Sequence, residues 1–236
     1  PYAHRAGYDF IIQAMGGAMS LTGEPDGAPQ KAGIAYADIF TGMYSTVAVL
    51  AALRRRDVTG RGAHIDMALL DCQVGVLANQ AANYLASDVS PGRMGNGHAN
   101  VVPYQAFATA DGQLVIAVGN DGQFRKLCMI LGERGWADDA RFVTNAARLA
   151  NRTTLIPLLA AKIASWDAQP LALALETEGV PAGPINDIAA VFADPQVVGR
   201  GMRFRPEGAF VDGLASPIVI DGERMVAAGG APPLAD

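Results

Sequence analysis

The sequence predicts an α/β fold, and three observations support this prediction. Half of the 236 residues are hydrophobic and only 17% are charged, which is typical of a chain that buries a core and excludes a disordered one. Between residues 39 and 84, two helical patterns flank a short β-type segment with short connections, as in α/β architecture. From residue 104 onward, a hairpin pattern precedes a series of amphipathic helices, which indicates a smaller α+β domain.

Helices dominate the prediction for the first part of the chain. The run 39–56 predicts the longest helix, because it is rich in Ala and Leu and ends in three arginines, which suit a helix C-terminus. In chain order, the predicted elements are a short helix at 8–17, a turn-rich loop at 23–29, the long helix at 39–56, a short strand at 64–67 and a helix through about residue 84.

The second part of the chain combines strands with helices. Two apolar segments separated by Ala110-Asp111-Gly112 predict a hairpin, since this tripeptide is a good turn signal. In chain order, we predict a linker at 87–100, strands at 104–109 and 113–118, helices at 121–131, 152–165 and 168–178, a short helix from 186 that Asp194-Pro195 breaks, and a tail of short strands and turns. A domain boundary is therefore expected near 90–100, followed by a small α+β domain over 101–198.

Composition and charge exclude several classes of protein. The formal net charge is 18 − 23 = −5, which argues against nucleic acid or an anionic membrane surface as the main partner. The uncharged stretch Ile39–Leu53 is too short and too interrupted to cross a bilayer, and no targeting segment is visible, so we expect a soluble cytoplasmic protein. Cys72 and Cys128 lie far apart and the three histidines lack regular spacing, so we expect neither a disulfide framework nor a metal site. The motifs of nucleotide, serine and zinc hydrolases are also absent.

Asp38 is a carboxylate in an unusual position, directly ahead of the most apolar helical pattern in the chain. It can be an N-cap, whose side chain accepts a hydrogen bond from the first amides of the helix. Alternatively, it can be a carboxylate that stays ionised at a helix N-terminus while apolar neighbours exclude water. A carboxylate of that kind can act as a nucleophile or as a general base.

Two further segments carry polar residues that could serve a site. Asp9 follows Tyr8 at the start of the first predicted helix, where it can be a capping residue beside a half-buried tyrosine. Residues 95–100 read Gly-Asn-Gly-His-Ala-Asn, which is either a plain linker or a flexible loop with polar tips. His4 and His64 are interpreted as surface or packing residues.

These segments, in this order, resemble the class III CoA-transferases, which include formyl-CoA and carnitine CoA-transferases. The resemblance runs over essentially the whole chain, and its combination of motifs is specific. It rests on the start Pro1-Tyr2, on Gly7–Phe10, Leu21–Pro25, Asp38 with Thr41-Gly42, Thr59–Asp66, the loop 95–100, Val102–Gln105 and Gly179–Ile185. The Val-Pro-Tyr-Gln and Gly-Val-Pro-Ala-Gly-Pro-Ile-Asn segments are most similar to the branch that moves CoA between dicarboxylic acids such as succinate and glutarate.

The resemblance implies a fold and an assembly. It implies a Rossmann-like large domain, of which this chain holds a part, a small α+β domain, and two chains interlaced as a homodimer. The division that it implies is 1–88 as part of the large CoA-binding domain, 89–100 as linker and glycine loop, 101–198 as the small domain, and 199–236 as a segment that returns to the large domain. The N-terminal part of the family and its usual C-terminal end have no counterpart in the chain.

The resemblance also implies a mechanism. Asp38 matches the family's nucleophile, which attacks an acyl-CoA thioester to form an aspartyl–acyl anhydride and then an aspartyl–CoA thioester. CoA and acyl-CoA are then substrates, together with a small carboxylic acid, and no permanently bound cofactor or metal is expected. The other matched positions are Ala6, Gly7, Tyr8 and Asp9 for contact with CoA, and Gly95, Asn96, Gly97 and His98 for a loop that donates N–H groups to an oxyanion.

Several alternatives stay open at this stage. A dicarboxylate needs a cationic partner, and Arg5 and Arg93 are the nearest candidates in sequence, although both also fit solvated surface arginines. An acyl-CoA racemase on the same fold is a second alternative, and its reaction needs two acid/base groups beside the α-carbon. Tyr8 stands where the racemase branch has His. Because the reference pKa of Tyr is about 10, Tyr is a poor base at neutral pH, and the sequence favours transfer over racemisation. A third hypothesis is a truncated chain that only dimerises or binds.

Overall fold

The computed structural model of the protein describes residues 1–226 and 229. Two compact units make up the chain, Pro1–Ala182 and the residues from Gly183 onward. The helices of the first unit are α1 (Asp9–Met15), α2 (Ala18–Leu21), α3 (Tyr36–Thr59), α4 (Leu69–Gly75), α5 (Ala78–Ser87), α6 (Asp121–Ile130), α7 (Arg134–Asp138), α8 (Asn145–Ala150), α9 (Arg152–Ile163) and α10 (Ala168–Thr177). Its strands are β1 (Tyr104–Ala108) and β2 (Gln113–Ala117), and β3 (Ala182–Pro184) begins where the unit ends.

The core of the first unit lies in its C-terminal half, where a sheet packs against helices. Strands β1 and β2 form the predicted antiparallel hairpin, in which Phe107 stands opposite Leu114. These two side chains are buried together with Phe124 of α6 and Leu159 of α9, whereas alternate strand residues are more exposed. This cluster of buried residues confirms the predicted combination of a hairpin with amphipathic helices.

The second unit consists of short elements, as the tail pattern predicts. Its described elements are the helices α11 (Ile188–Ala193) and α12 (Pro195–Gly199) and the strands β4 (Arg203–Phe204), β5 (Gly213–Leu214), β6 (Val219–Ile220) and β7 (Glu223–Arg224). Strand β4 pairs antiparallel with β5, and β6 with β7. Asp194 ends α11 and caps α12 by accepting from the Gln196 amide at 2.8 Å, so Asp194-Pro195 both breaks one helix and begins the next.

Helix α3 is longer than predicted and exposes most of its apolar residues. It spans Tyr36–Thr59 instead of 39–56, and Ala37 alone is buried. By length and composition it could cross a membrane, which corrects the expectation that this run is too short. An apolar helix that packs against another polypeptide can have the same length and composition as one that crosses a membrane. Its exposed apolar side chains include Ile39, Phe40, Met43, Tyr44, Val47, Leu50, Leu53 and Val58.

Two predictions for the first part of the chain are wrong. Residues 64–67 form no strand, and the whole of 1–103 contains none. A strand requires a neighbour to share its backbone hydrogen bonds, and no strand lies beside this segment in the described chain. The single helix predicted up to residue 84 is in fact two, α4 and α5, separated at Val76-Leu77. The four-part domain division stays a prediction.

Candidate active site

Asp38 lies in the first turn of α3, where it is the third helical residue. The N-cap position belongs to Ala35, so the interpretation of Asp38 as the N-cap is wrong. Among the described residues, the Asp38 carboxylate takes part in no hydrogen bond or ion pair, and the side chain is exposed. Asp38 is therefore free to contact a ligand.

Asp9 supplies the cap that α3 lacks in its own sequence. Ala35 has no side-chain acceptor, and Asp9 Oδ1 instead accepts a hydrogen bond from the amide of Ala37 at 2.9 Å. Asp9 is itself the first residue of α1, which follows Tyr8 at the N-cap position. The structure thus brings Asp9 to the residue next to Asp38, although 28 positions separate Asp9 from Ala37 in sequence.

A buried amide holds this carboxylate in place. Gln13, on the same helix as Asp9, is fully buried. Its Nε2 donates to Asp9 Oδ2 at 2.6 Å and, more weakly, to the Ile34 carbonyl at 3.4 Å. Its Oε1 accepts from the Ala32 amide at 2.9 Å. Gln13 therefore ties α1 to the segment that leads into α3.

The predicted CoA-contacting segment borders a cavity of about 720 Å³. Arg5, Ala6 and Gly7 line this cavity together with residues of α1 and α4 and the acidic pair Asp66 and Asp71. Neither Tyr8 nor Asp9 lines it. The Tyr8 side chain is 75% exposed, so the expected half-buried tyrosine is wrong. Arg5 also stacks over the Tyr2 ring, 3.8 Å from its centroid.

The residues that the structure describes form no dry pocket around Asp38, whose side chain is exposed. Its neighbours Ile39 and Phe40 are 56% and 43% exposed, so they do not exclude water as the sequence suggests. Their apolar surface belongs to the exposed face of α3 described above.

The loop 95–100 uses most of its amides within the protein. The amide of Gly95 donates to the Gly23 carbonyl at 3.0 Å, that of Gly97 to Met94 at 2.9 Å, and that of His98 to Tyr104 at 3.0 Å. In the described residues the Asn96 amide has no acceptor, and Asn96 is exposed. Asn96 is thus the best placed of the predicted loop residues to donate to a ligand.

His98 is held by its own loop. Its Nδ1 accepts from the Asn100 amide at 3.0 Å, so the ring carries its proton on Nε2. The ring also packs against Tyr104, with centroids 5.2 Å apart. The Nε2–H has no acceptor among the residues described, so it can donate one further hydrogen bond.

Comparison with known proteins identifies the family. The model of CoA-transferase family III matches residues 1–235. The chain belongs to CoA-transferase family III. It is 53% identical over 223 residues to a succinate–glutarate CoA-transferase of Agrobacterium fabrum, covering 93% of this chain and 56% of that protein. It is 43% identical over 202 residues to a succinyl-CoA:glutarate CoA-transferase of Mus musculus, covering 86% of this chain and 46% of that protein.

A solved structure supports the same assignment for the fold. The crystal structure of a CAIB/BAIF family protein from Brucella suis is 56% identical, with a TM-score of 0.81, over 99% of this chain and 61% of that chain. This confirms the predicted family III fold. The chain spans about half the length of the curated relatives that it matches.

In this family III chain, the two candidate arginines differ in their surroundings. Arg93 Nη2 donates to the Gly27 carbonyl at 2.5 Å and its Nε to the Glu24 carbonyl at 3.2 Å, so its guanidinium is used to fix the loop that begins at Gly23. Arg5 forms no hydrogen bond through its guanidinium in the described residues and faces the cavity. Of the two, Arg5 is the one available to a ligand.

Arg152, on α9, is a residue of the site that sequence reasoning missed. Its Nη2 donates to the carbonyl of His98 and, at 3.3 Å, to that of Ala99. Burial lowers the pKa of the Arg152 guanidinium, because desolvation disfavours its charge. The sequence offers no signal for this contact, since 53 positions separate Ala99 from Arg152.

Replacing Arg152 with Met is expected to loosen the loop. Two loop carbonyls lose a charged donor, so amide exchange at 95–100 should rise about tenfold relative to the native protein. Hydrogen exchange followed by mass spectrometry measures this. Arg134→Met is the matched control, because its exposed side chain forms no hydrogen bond in the described residues. Unchanged exchange in Arg152→Met would show that the other contacts hold the loop alone.

Catalysis by a cysteine nucleophile or by a metal ion is less suited to the described residues. Burial raises the pKa of the Cys128 thiol to about 12, so this buried cysteine stays neutral and is a poor nucleophile. The part of the chain that the structure describes contains no group of three or more His, Cys, Asp or Glu side chains suited to a metal ion.

Proposed function

We propose that the protein containing this chain is a CoA-transferase that moves CoA from succinyl-CoA to a second dicarboxylic acid. The observation that carries the proposal is the 53% identity to a succinate–glutarate CoA-transferase over 93% of the chain. The free carboxylate of Asp38 in the first turn of α3, with Asp9 bound to the preceding residue, supports it. Asp38 is the proposed nucleophile.

The proposed reaction passes through covalent intermediates on Asp38. The carboxylate attacks the thioester carbon, the C–S bond breaks, and an aspartyl–acyl anhydride and CoA thiolate result. The thiolate then attacks the aspartyl carbonyl, which forms an aspartyl–CoA thioester and releases the first acid. The acceptor carboxylate attacks this thioester to give a new mixed anhydride and thiolate, and attack of the thiolate on the acceptor's acyl carbon yields the product and restores Asp38. These steps conserve the free energy of the thioester, which hydrolysis would lose.

The loop 95–100 is proposed to stabilise the oxyanions of these steps. Each attack places negative charge on a carbonyl oxygen, and a fixed N–H donor lowers the energy of that charge. The unused amide of Asn96 and the Nε2–H of His98 are the proposed donors. The contact of Arg152 with the His98 carbonyl supports this role, because it fixes the loop without using either donor.

The cavity beside Ala6 and Gly7 is proposed to hold part of CoA, and Arg5 to bind the distal carboxylate of the acid. A guanidinium suits a carboxylate because it can donate two parallel hydrogen bonds. Tyr8 and Asp9 would then contact CoA from the side nearer α3.

The site is proposed to be completed by a second polypeptide. The exposed apolar face of α3 begins beside Asp38 and needs a partner to exclude water from it. A second copy of the protein, interlaced with the first around a Rossmann-like large domain, is the proposed partner. The chemistry of a carboxylate nucleophile favours such a dry environment.

A panel of acceptor acids tests the substrate class. With the intact protein at its natural length and succinyl-CoA as donor, glutarate, malate and itaconate should be used at least about tenfold better in kcat/KM than formate or carnitine. One charge-assisted hydrogen bond to the distal carboxylate contributes about 1.5–3 kcal/mol, which suffices for this ratio. Product acyl-CoA is measured by liquid chromatography and mass spectrometry.

Two results would change the assignment in different ways. A preference for a monocarboxylate would refute the dicarboxylate proposal but leave CoA transfer in place. Rapid loss of optical purity in a 2-methylacyl-CoA without any acceptor acid would instead indicate a racemase.

The role of Arg5 is tested by the same panel of acids. Arg5→Met should reduce the preference for diacids over monocarboxylates if Arg5 binds the distal carboxylate.

A further inference from the structure

Gln13 is a buried polar residue to which the proposed reaction assigns no role. It is fully buried in the short helix α1, where the burial of an amide is favourable only if its hydrogen bonds are satisfied. Both ends of its side chain have partners, and these partners belong to three places: Asp9, Ala32 and Ile34. All three border the start of α3.

The chemistry of the partners fixes the orientation of the amide. A carboxylate only accepts hydrogen bonds and a backbone N–H only donates, so Nε2 must face Asp9 and Oε1 must face Ala32. The amide can therefore adopt one orientation only. In that orientation it presents Asp9 Oδ1 to the Ala37 amide at 2.9 Å.

We propose that Gln13 is a positioning residue that acts through Asp9 to set the first turn of α3 and hence the carboxylate of Asp38. The proposal rests on the proposed function, in which Asp38 is the nucleophile. Without Gln13, the Asp9 carboxylate loses its 2.6 Å donor and can turn to solvent. The Ala37 amide then loses its cap, and the turn that holds Asp38 frays.

A second buried glutamine provides a matched control. Gln73, on α4, is also buried and packs against Gly16 at the end of α1. Its Oε1 has no hydrogen-bond partner among the described residues. Gln73→Met therefore disturbs the packing of the same helix without removing a contact to the start of α3.

The test measures formation of the covalent adduct on Asp38 in a single turnover. The intact protein is mixed with acyl-CoA, quenched, and the Asp38 peptide quantified by mass spectrometry. Gln13→Met should lower the adduct rate ten- to a hundredfold and leave the KM for acyl-CoA within about threefold, because Gln13 acts on the start of α3 through Asp9 and does not itself line the cavity proposed for CoA. Gln73→Met should leave the rate within threefold.

A charged variant adds a pH profile that a general packing role would not produce. In Gln13→Glu, the introduced carboxylate faces Asp9, and the two negative charges repel each other. When the introduced group is protonated, it can again donate a hydrogen bond to Asp9 Oδ2. The adduct rate relative to the native protein should therefore rise as the pH falls, a trend absent from Gln13→Met.

The outcomes separate the two proposals. If the native protein forms no adduct on Asp38, the proposed nucleophile is wrong and the role of Gln13 falls with it. If the native adduct forms and Gln13→Met forms it equally fast, or Gln73→Met is slowed to the same extent, the positioning role alone is overturned. In an Asp9→Ala background, Gln13→Met should add less than a threefold further loss, since Gln13 acts through Asp9.

Discussion

Replacing Asp38 with Asn is expected to abolish CoA transfer while the protein stays folded. An amide cannot form the anhydride with the acyl group, so kcat should fall by about a thousandfold or more. The cost in stability should stay below about 1 kcal/mol, which is the usual range for one charge at a helix N-terminus. The exposed carboxylate of Asp38 forms no hydrogen bond in the described residues that the substitution could remove. Transfer is measured with succinyl-CoA and glutarate, and unfolding with urea.

The control for this variant is Asp57→Asn near the other end of α3. Asp57 is exposed and paired with Arg56, so its loss should leave transfer unchanged. After incubation of the native protein with acyl-CoA, hydroxylamine should convert Asp38 to a hydroxamate. Asp38→Ala should give no hydroxamate. Because Ala, unlike Asn, cannot deamidate to Asp, this second variant also shows whether residual activity of Asp38→Asn comes from regenerated Asp38. If Asp38→Asn retains more than a few per cent of activity, Asp38 is not the nucleophile.

The sequence predicted the existence of α3 well but not its ends or its surroundings. An Ala- and Leu-rich run with arginines at its end identifies a helix by local propensity alone. Its first residue, Tyr36, could not be predicted, because the cap comes from Asp9, which is remote in sequence. Its last turn ends at Gly60, whose φ of 67° lies in the left-handed region that favours glycine.

The failed strand at 64–67 has a similar physical reason. The hydrophobic pattern of His64-Ile65-Asp66-Met67 shows that an extended segment is possible, but a strand exists only when a neighbour shares its hydrogen bonds. The hairpin at 104–117 was predictable because both of its strands and the turn between them are local in sequence. Pattern reasoning therefore succeeded where partners are close along the chain.

The candidate site also shows that partners remote in sequence are not predicted from local patterns. Asp38, Asp9 and the loop 95–100 were found through motif resemblance, and the contact of Asp9 with Ala37 places two of them together. Gln13 and Arg152 were missed, because a glutamine in an apolar helix and an arginine at a helix start carry no motif. Their roles depend on which carbonyls and carboxylates the fold brings to them.

Arg148 is expected to be the largest single contributor to stability among the charged residues of the described chain. Its side chain is fully buried, and its guanidinium donates to the Val102 carbonyl at 2.7 Å, the Phe142 carbonyl at 2.9 Å and Asp121 Oδ1 at 2.8 Å. Arg148→Met removes all three donors and leaves two buried carbonyls unsatisfied, so the free energy of unfolding should fall by about 3–5 kcal/mol. Urea unfolding of the intact protein measures this.

The neighbouring Arg141 shows why burial decides the size of this effect. Arg141 also pairs with an aspartate, Asp139, at 2.7 Å, but its side chain is 56% exposed. Water can replace a lost exposed ion pair, so Arg141→Met should leave the urea midpoint of unfolding nearly unchanged. Met fills much of the volume of Arg148, and a loss as small as that of Arg141→Met would therefore show that packing alone holds these elements together. A large loss instead means that one guanidinium joins α8 to α6 and to the segments that precede β1 and α8, through hydrogen bonds that no apolar side chain can replace.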